Sequence, residues 1–134
     1  MALTLIDPRF LDAVWPQVES MLQSAVDTDT TYSTVDQLQL MVRKRVVNLL
    51  TWEDGDRITG VAIVEFIDHP LKRVAFFIEL AGRAVVRKDV LVELAAWCKS
   101  NGASAIEGWG REGIMRLYRR LGFTEVARVV RLEL

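Results

Sequence analysis

The chain has 134 residues, 51% of them hydrophobic and 26% charged, which is an ordinary composition for one globular domain (residues 1–134) with a real core. Its formal net charge of -1 excludes a general electrostatic pull toward nucleic acid or acidic membranes. One cysteine excludes an internal disulfide framework and a cysteine-built zinc site, and no apolar run reaches the roughly 18 residues of a membrane span. The N-terminus lacks the basic start of a secretion signal, so a reducing, cytoplasmic setting is the expectation.

Residues 3–6 form a short apolar strand. Asp7-Pro8 then starts a helix, because Asp caps and Pro lacks only an N–H that has no partner in a first turn. Phe10, Leu11, Val14, Val18, Met21, Leu22 and Val26 follow at helical spacing, with Pro16 expected to kink or split the run. Residues 27–32 are a polar break. Ser33 or Thr34 caps a second helix carrying Val35, Leu38, Met41 and Val42. Its basic end, Arg43-Lys44-Arg45, complements the helix dipole, and this is preferred over nucleic-acid contact.

Three strands follow, over 46–52, 58–67 and 73–80, with turns at 53–56 and 68–70. The third, nearly continuous in apolar residues, reads as a central strand covered on both faces. Residues 87–100 form an amphipathic helix with Val90, Leu91, Leu94, Ala95 and Cys98 on one face, and Gly102 stops it. Cys98 by this spacing is a core residue. His69, in a turn, has no partner motif. A strand over 103–109, a short helix over 112–121 and one last strand within 123–134 complete the order β-α-α-β-β-β-α-β-α-β. Such an order means an α+β sandwich, in which the crossover helix makes its two flanking strands parallel.

Leu117-Tyr118-x-x-x-Gly122-Phe123 resembles the closing signature of the GNAT superfamily of N-acetyltransferases, and the element order resembles that fold over nearly the whole chain. The resemblance implies a mixed, mostly antiparallel sheet with splayed central parallel strands and helices on both faces. It implies acetyl-CoA as cofactor, its pantetheine arm bonded to the main chain near Ile78 and Leu80. Tyr118 would act as general acid toward the departing thiolate, and Glu79 or Glu107 as general base, with Glu79 the stronger candidate. The acceptor would be a small amine or a protein amine. Read from the residues alone, Tyr118 is also a half-buried aromatic on an apolar helix face, and Glu79 is a carboxylate that must find water or a cation.

The chain departs from the family at the loop that binds pyrophosphate. That loop carries two glycines, so that backbone N–H groups at a helix N-terminus approach the anion. Here the glycine positions fall near Val85 and Arg87, and no Gly lies between Arg83 and Asn101. Arg83, Arg87 and Lys88 cluster there and could hold a diphosphate by side chains, or be solvated charges. The pairs of motifs Val14-Trp15-Pro16 and Gly110-Arg111-Glu112-Gly113 resemble short phage-encoded GNAT-like proteins. This resemblance implies an alternative: a non-catalytic assembly or structural protein with virion or self-association partners, located in host cytoplasm or virion. Trp15 and Trp52 would then have to be exposed. Whether the chain is an enzyme stays open at this point; if active, it is an acyl-CoA-dependent N-acetyltransferase.

Overall fold

A computed structural model describes residues 2–28 and 32–134. The sheet has five strands in the order β1-β2-β3-β4-β5. These are β1 (Ala2–Leu5), β2 (Asn48–Asp54), β3 (Arg57–Asp68), β4 (Arg73–Gly82) and β5 (Ala105–Gly108). The first four run antiparallel, while β4 and β5 are parallel, as a connection through a crossover helix requires. Helices α1 (Leu11–Val26) and α2 (Val35–Arg43) cover one face, and α3 (Lys88–Ser100) covers the other. A fourth helix, α4 (Glu112–Arg120), follows β5. The expected mixed α+β architecture is present.

Alternation along the strands sorts the core into two layers. Leu49, Val61 and Ile63 pack under Leu11, Trp15, Val18, Leu22 and Leu38 of the first two helices. Leu50, Trp52, Ala62, Val64, Ala75 and Phe77 pack under Val90, Leu94 and Cys98 of α3. Burial of the Cys98 side chain pushes its thiol up to about 11, so it is a packing residue and a poor nucleophile at neutral pH. Trp15 and Trp52 both belong to this core, so neither supplies the exposed interface that an assembly role would draw from them.

Several boundaries are set by capping chemistry. Asp7 accepts from the Arg9 backbone and side chain, which holds its carboxyl down to about 2, and Pro8–Phe10 forms a 3-10 turn before α1. Pro16 does not split α1. Leu11, Trp15, Val18 and Leu22 bury one continuous stripe across it, and that burial offsets the one backbone bond Pro removes. Thr34, not Ser33, caps α2 in a reciprocal capping box with Gln37. The polar break at 27–32 lies in part outside the described residues. Of the basic triplet, Arg43 pairs with Asp12 and Arg45 with Asp7 at 3.6 Å, tying the end of α2 to the start of α1.

β4 is an interior strand, between β3 and β5, as its apolar run suggests, and residues 60–64 of β3 beside it are buried throughout. The far half of β4 also lines a cleft. One expectation is overturned: the last strand, expected within 123–134, is absent among the described residues. The chain beyond Phe123 forms an arm without regular secondary structure, with no strand partner among the described residues, and Val126, Val129, Val130, Leu132 and Leu134 on it are exposed. Apolar content favours a strand only where a ladder partner is in reach, and the arm has none. Among the described residues no helix is long and apolar enough to cross a membrane.

Candidate active site

The cleft begins where β4 and β5 part. Their pairing ends at Phe77↔Gly108, yet β4 runs on to Gly82. On the other side of β4 the ladder slips at the same level: Ile63 pairs with Glu79 but Val64 with Phe77, leaving Ile78 as the extra residue of a bulge. A bulge bends its strand and sharpens the local twist. Residues 78–82 therefore have β3 on one side and no strand on the other. The resulting cleft has a volume of about 810 Å³, enough for a drug-sized ligand or cofactor arm.

Tyr118 reaches this cleft because of the way α4 ends. Gly122, at φ 97°, is the left-handed residue past the helix. The Phe123 N–H donates to the Tyr118 carbonyl and the Gly122 N–H to the Arg119 carbonyl, which is a Schellman closure. Such closures bring the residue after the glycine onto the third residue from the helix end. Here those are Phe123 and Tyr118, with ring centroids 4.9 Å apart. The Leu-Tyr-x-x-x-Gly-Phe spacing is thus a helix stop that also fixes the tyrosine ring. Gly108 completes the seat: a Cβ there would stand 3.2 Å from the Tyr118 hydroxyl and 3.6 Å from the Phe77 Cβ.

Tyr118 and Glu79 are each only 7% exposed, and both line the cleft. Burial, and then the negative charge of Glu79, push the Tyr118 phenol up to about 12. It therefore stays protonated across the neutral range. The chain has two tyrosines, so titration separates them. Absorbance near 295 nm should show one tyrosine ionising near 12, and Tyr118→Phe should remove that step. Between about 10 and 12 the folded chain keeps a proton that the unfolded chain has released, so stability is lost as pH rises through that window. The loss, up to about 2–3 kcal/mol, should be smaller in Tyr118→Phe by chemical denaturation.

Of the other residues expected here, Ile78, Leu80 and Arg83 line the same cleft, and Arg87 and Lys88 do not. Arg87 is held by Asp89 at 2.8 Å, a bidentate pair that raises the guanidinium further and lowers the carboxyl. The connection from β4 to α3 is a 3-10 turn, Arg83–Val86. Its Ala84 is buried in the layer under α3, while Val85 and Val86 line the cleft. Arg83 lines the cleft beside the branched side chains of Val85 and Val86. Glu107 sits on β5 opposite Phe76 and is not part of the cleft lining.

Sequence reasoning missed several lining residues. Trp109 stacks edge-on against Phe76 at 5.1 Å and tilts against Tyr32 at 5.3 Å, forming an aromatic wall. Glu65, on β3, lines the same space. The one available signal was an exposed-type Trp next to two glycines at a strand end, and it does not specify a partner as distant as Tyr32.

By sequence, no family profile matches the chain and no curated protein resembles it at a significant level. Solved structures do resemble it in three dimensions. An aminoglycoside acetyltransferase from an uncultured soil metagenomic sample, in complex with sisomicin, superposes with a TM-score of 0.72 at 11% identity, covering 99% of this chain and 94% of that one. A predicted acetyltransferase from Clostridium acetobutylicum, solved with acetyl-CoA, gives 0.69 at 14%, covering 98% and 95%. A ribosomal-protein-alanine N-acetyltransferase from Brucella melitensis biovar Abortus gives 0.70 at 14%, covering 98% and 100%. With the element order, the parting of β4 from β5 and the Tyr118 closure, these likenesses establish that the chain has the GNAT fold.

Proposed function

We propose that the protein is an acetyl-CoA-dependent N-acetyltransferase with an atypical diphosphate site. The observation that carries this reading is the meeting of a protonated phenol, Tyr118, and a carboxylate, Glu79, in one cleft beside an unpaired stretch of β4. Acetyl-CoA supplies an activated acetyl thioester. Residues 78–80 would hold the pantetheine amides as an added strand would be held, and Arg83 would carry the diphosphate charge. The Glu79 carboxylate would take the proton of an acceptor ammonium, directly or through water. The Tyr118 hydroxyl would return a proton at the leaving sulfur. The acceptor is a small amine or a protein amine; solved relatives of both kinds share the fold.

Calorimetric titration with acetyl-CoA tests the cofactor. Saturable binding is expected, weakened about tenfold or more by Arg83→Ala, since a charge-assisted contact contributes roughly 1.5–3 kcal/mol. No heat at millimolar acetyl-CoA would sink the reading.

One observation favours a second reading, a non-catalytic assembly role: the exposed apolar residues of the 124–134 arm. On that reading the full chain self-associates in light scattering, a chain ending at Phe123 does not, and neither binds acetyl-CoA. A monomeric full chain with cofactor binding removes it.

A further inference from the structure

We propose that the wall formed by Tyr32, Trp109 and Phe76 is a cation-recognition subsite for the acceptor, taking a second positive group, guanidinium or ammonium, on the amine to be acetylated, and that Arg131 of the C-terminal arm occupies it as an intramolecular stand-in. This rests on the acetyltransferase reading for the word acceptor, but the cation site itself stands on geometry alone.

Tyr32 and Trp109 are 54% and 50% exposed, two touching aromatic rings that present open faces. Both line the same cleft as Tyr118 and Glu79. Phe76 meets Trp109 nearly edge-on, at 76°, which fixes the indole plane. The face of an aromatic ring attracts a cation, and Trp does so best. One cation already lies against a member of the wall: the Arg131 guanidinium is 5.0 Å from the Tyr32 ring centroid, hydrogen-bonds to that side chain and has Glu133 at 3.5 Å. The arm leaves α4 at Phe123, whose ring packs on Tyr118, and brings Arg131 to Tyr32. Charges around the cleft are balanced, Glu65 and Glu79 against Arg83 and Arg111, so net field does not select a cation. The ring faces do.

The test uses the full chain and two probes in calorimetry: agmatine, which carries a primary amine and a guanidinium, and butylamine, which carries the amine alone. Arg131→Ala vacates the wall and should bind agmatine about three- to tenfold tighter than the unaltered chain. Butylamine should change less than twofold. Adding Tyr32→Ala, at an exposed position with little fold to lose, or Trp109→Ala, checked by thermal melting, should abolish the gain. Equal agmatine affinity with and without Arg131, absence of agmatine binding, or an equal gain for butylamine each overturns the proposal. A parallel acetyl-CoA titration separates the two ideas. Agmatine behaviour as expected without acetyl-CoA binding leaves the cation site standing and the acetyltransferase reading lost; the reverse result removes the subsite alone.

Discussion

Tyr118→Phe is expected to lower kcat for acetyl transfer by about 10²–10⁴-fold, the usual contribution of a positioned acid. The substitution removes one oxygen and little else. The phenyl ring keeps its 4.9 Å contact with Phe123, and the Schellman closure uses backbone groups only. Thermal stability and acetyl-CoA affinity should therefore hold, so that the loss falls on kcat and not on KM. Steady-state kinetics with a series of small amines, beside a melting curve, measures all three. Were kcat to survive the change, Tyr118 would be a packing residue at a helix stop and the acid would have to be sought elsewhere in the cleft.

Gly82→Ala should cost about 3 kcal/mol or more, and it attacks the same site through the fold. Gly82 ends β4 at φ 92° and ψ 169°, a region open essentially to glycine alone, which costs an L-residue roughly 1–3 kcal/mol. Space is the larger obstacle. A Cβ would come within 2.5 Å of the Thr59 carbonyl oxygen, 2.8 Å of Gly60 Cα and 3.0 Å of Met21 Sδ. Two of these are backbone atoms of β3, which cannot swing aside, so overpacking adds about 1–3 kcal/mol. Gly55→Ala is the matched control: φ is 65°, but nothing lies within 4 Å of the added carbon. It should cost only about 1 kcal/mol. Denaturant unfolding of the pair separates backbone strain from crowding. A Gly82 variant as mild as Gly55→Ala would mean that β3 and β4 are not locked together at the cleft floor.

Much of the fold was legible in local pattern. Ser33 or Thr34 announced the cap of α2, helical spacing in residues 87–100 announced α3, and Leu-Tyr-x-x-x-Gly-Phe announced a short helix that stops at Gly122. Pro16 does not split α1, because its cost is local while the burial that offsets it spans Leu11 to Leu22. The arm misled because strand-like composition is local, but a ladder partner is not.

By itself the sequence determined the order of elements as far as α4, the placing of Tyr118 one turn before Gly122, and the lack of any glycine between Arg83 and Asn101. Each depends on neighbours within a turn or two. Only the tertiary structure decided that β5 leaves β4 at Phe77, that Glu79 shares a cleft with Tyr118, that Arg83 faces it while Arg87 is spent on Asp89, and that Tyr32 meets both Trp109 and Arg131. Those outcomes turn on strand register, a bulge and the packing of segments far apart in the chain, and no periodicity within one segment encodes where its distant partner stops.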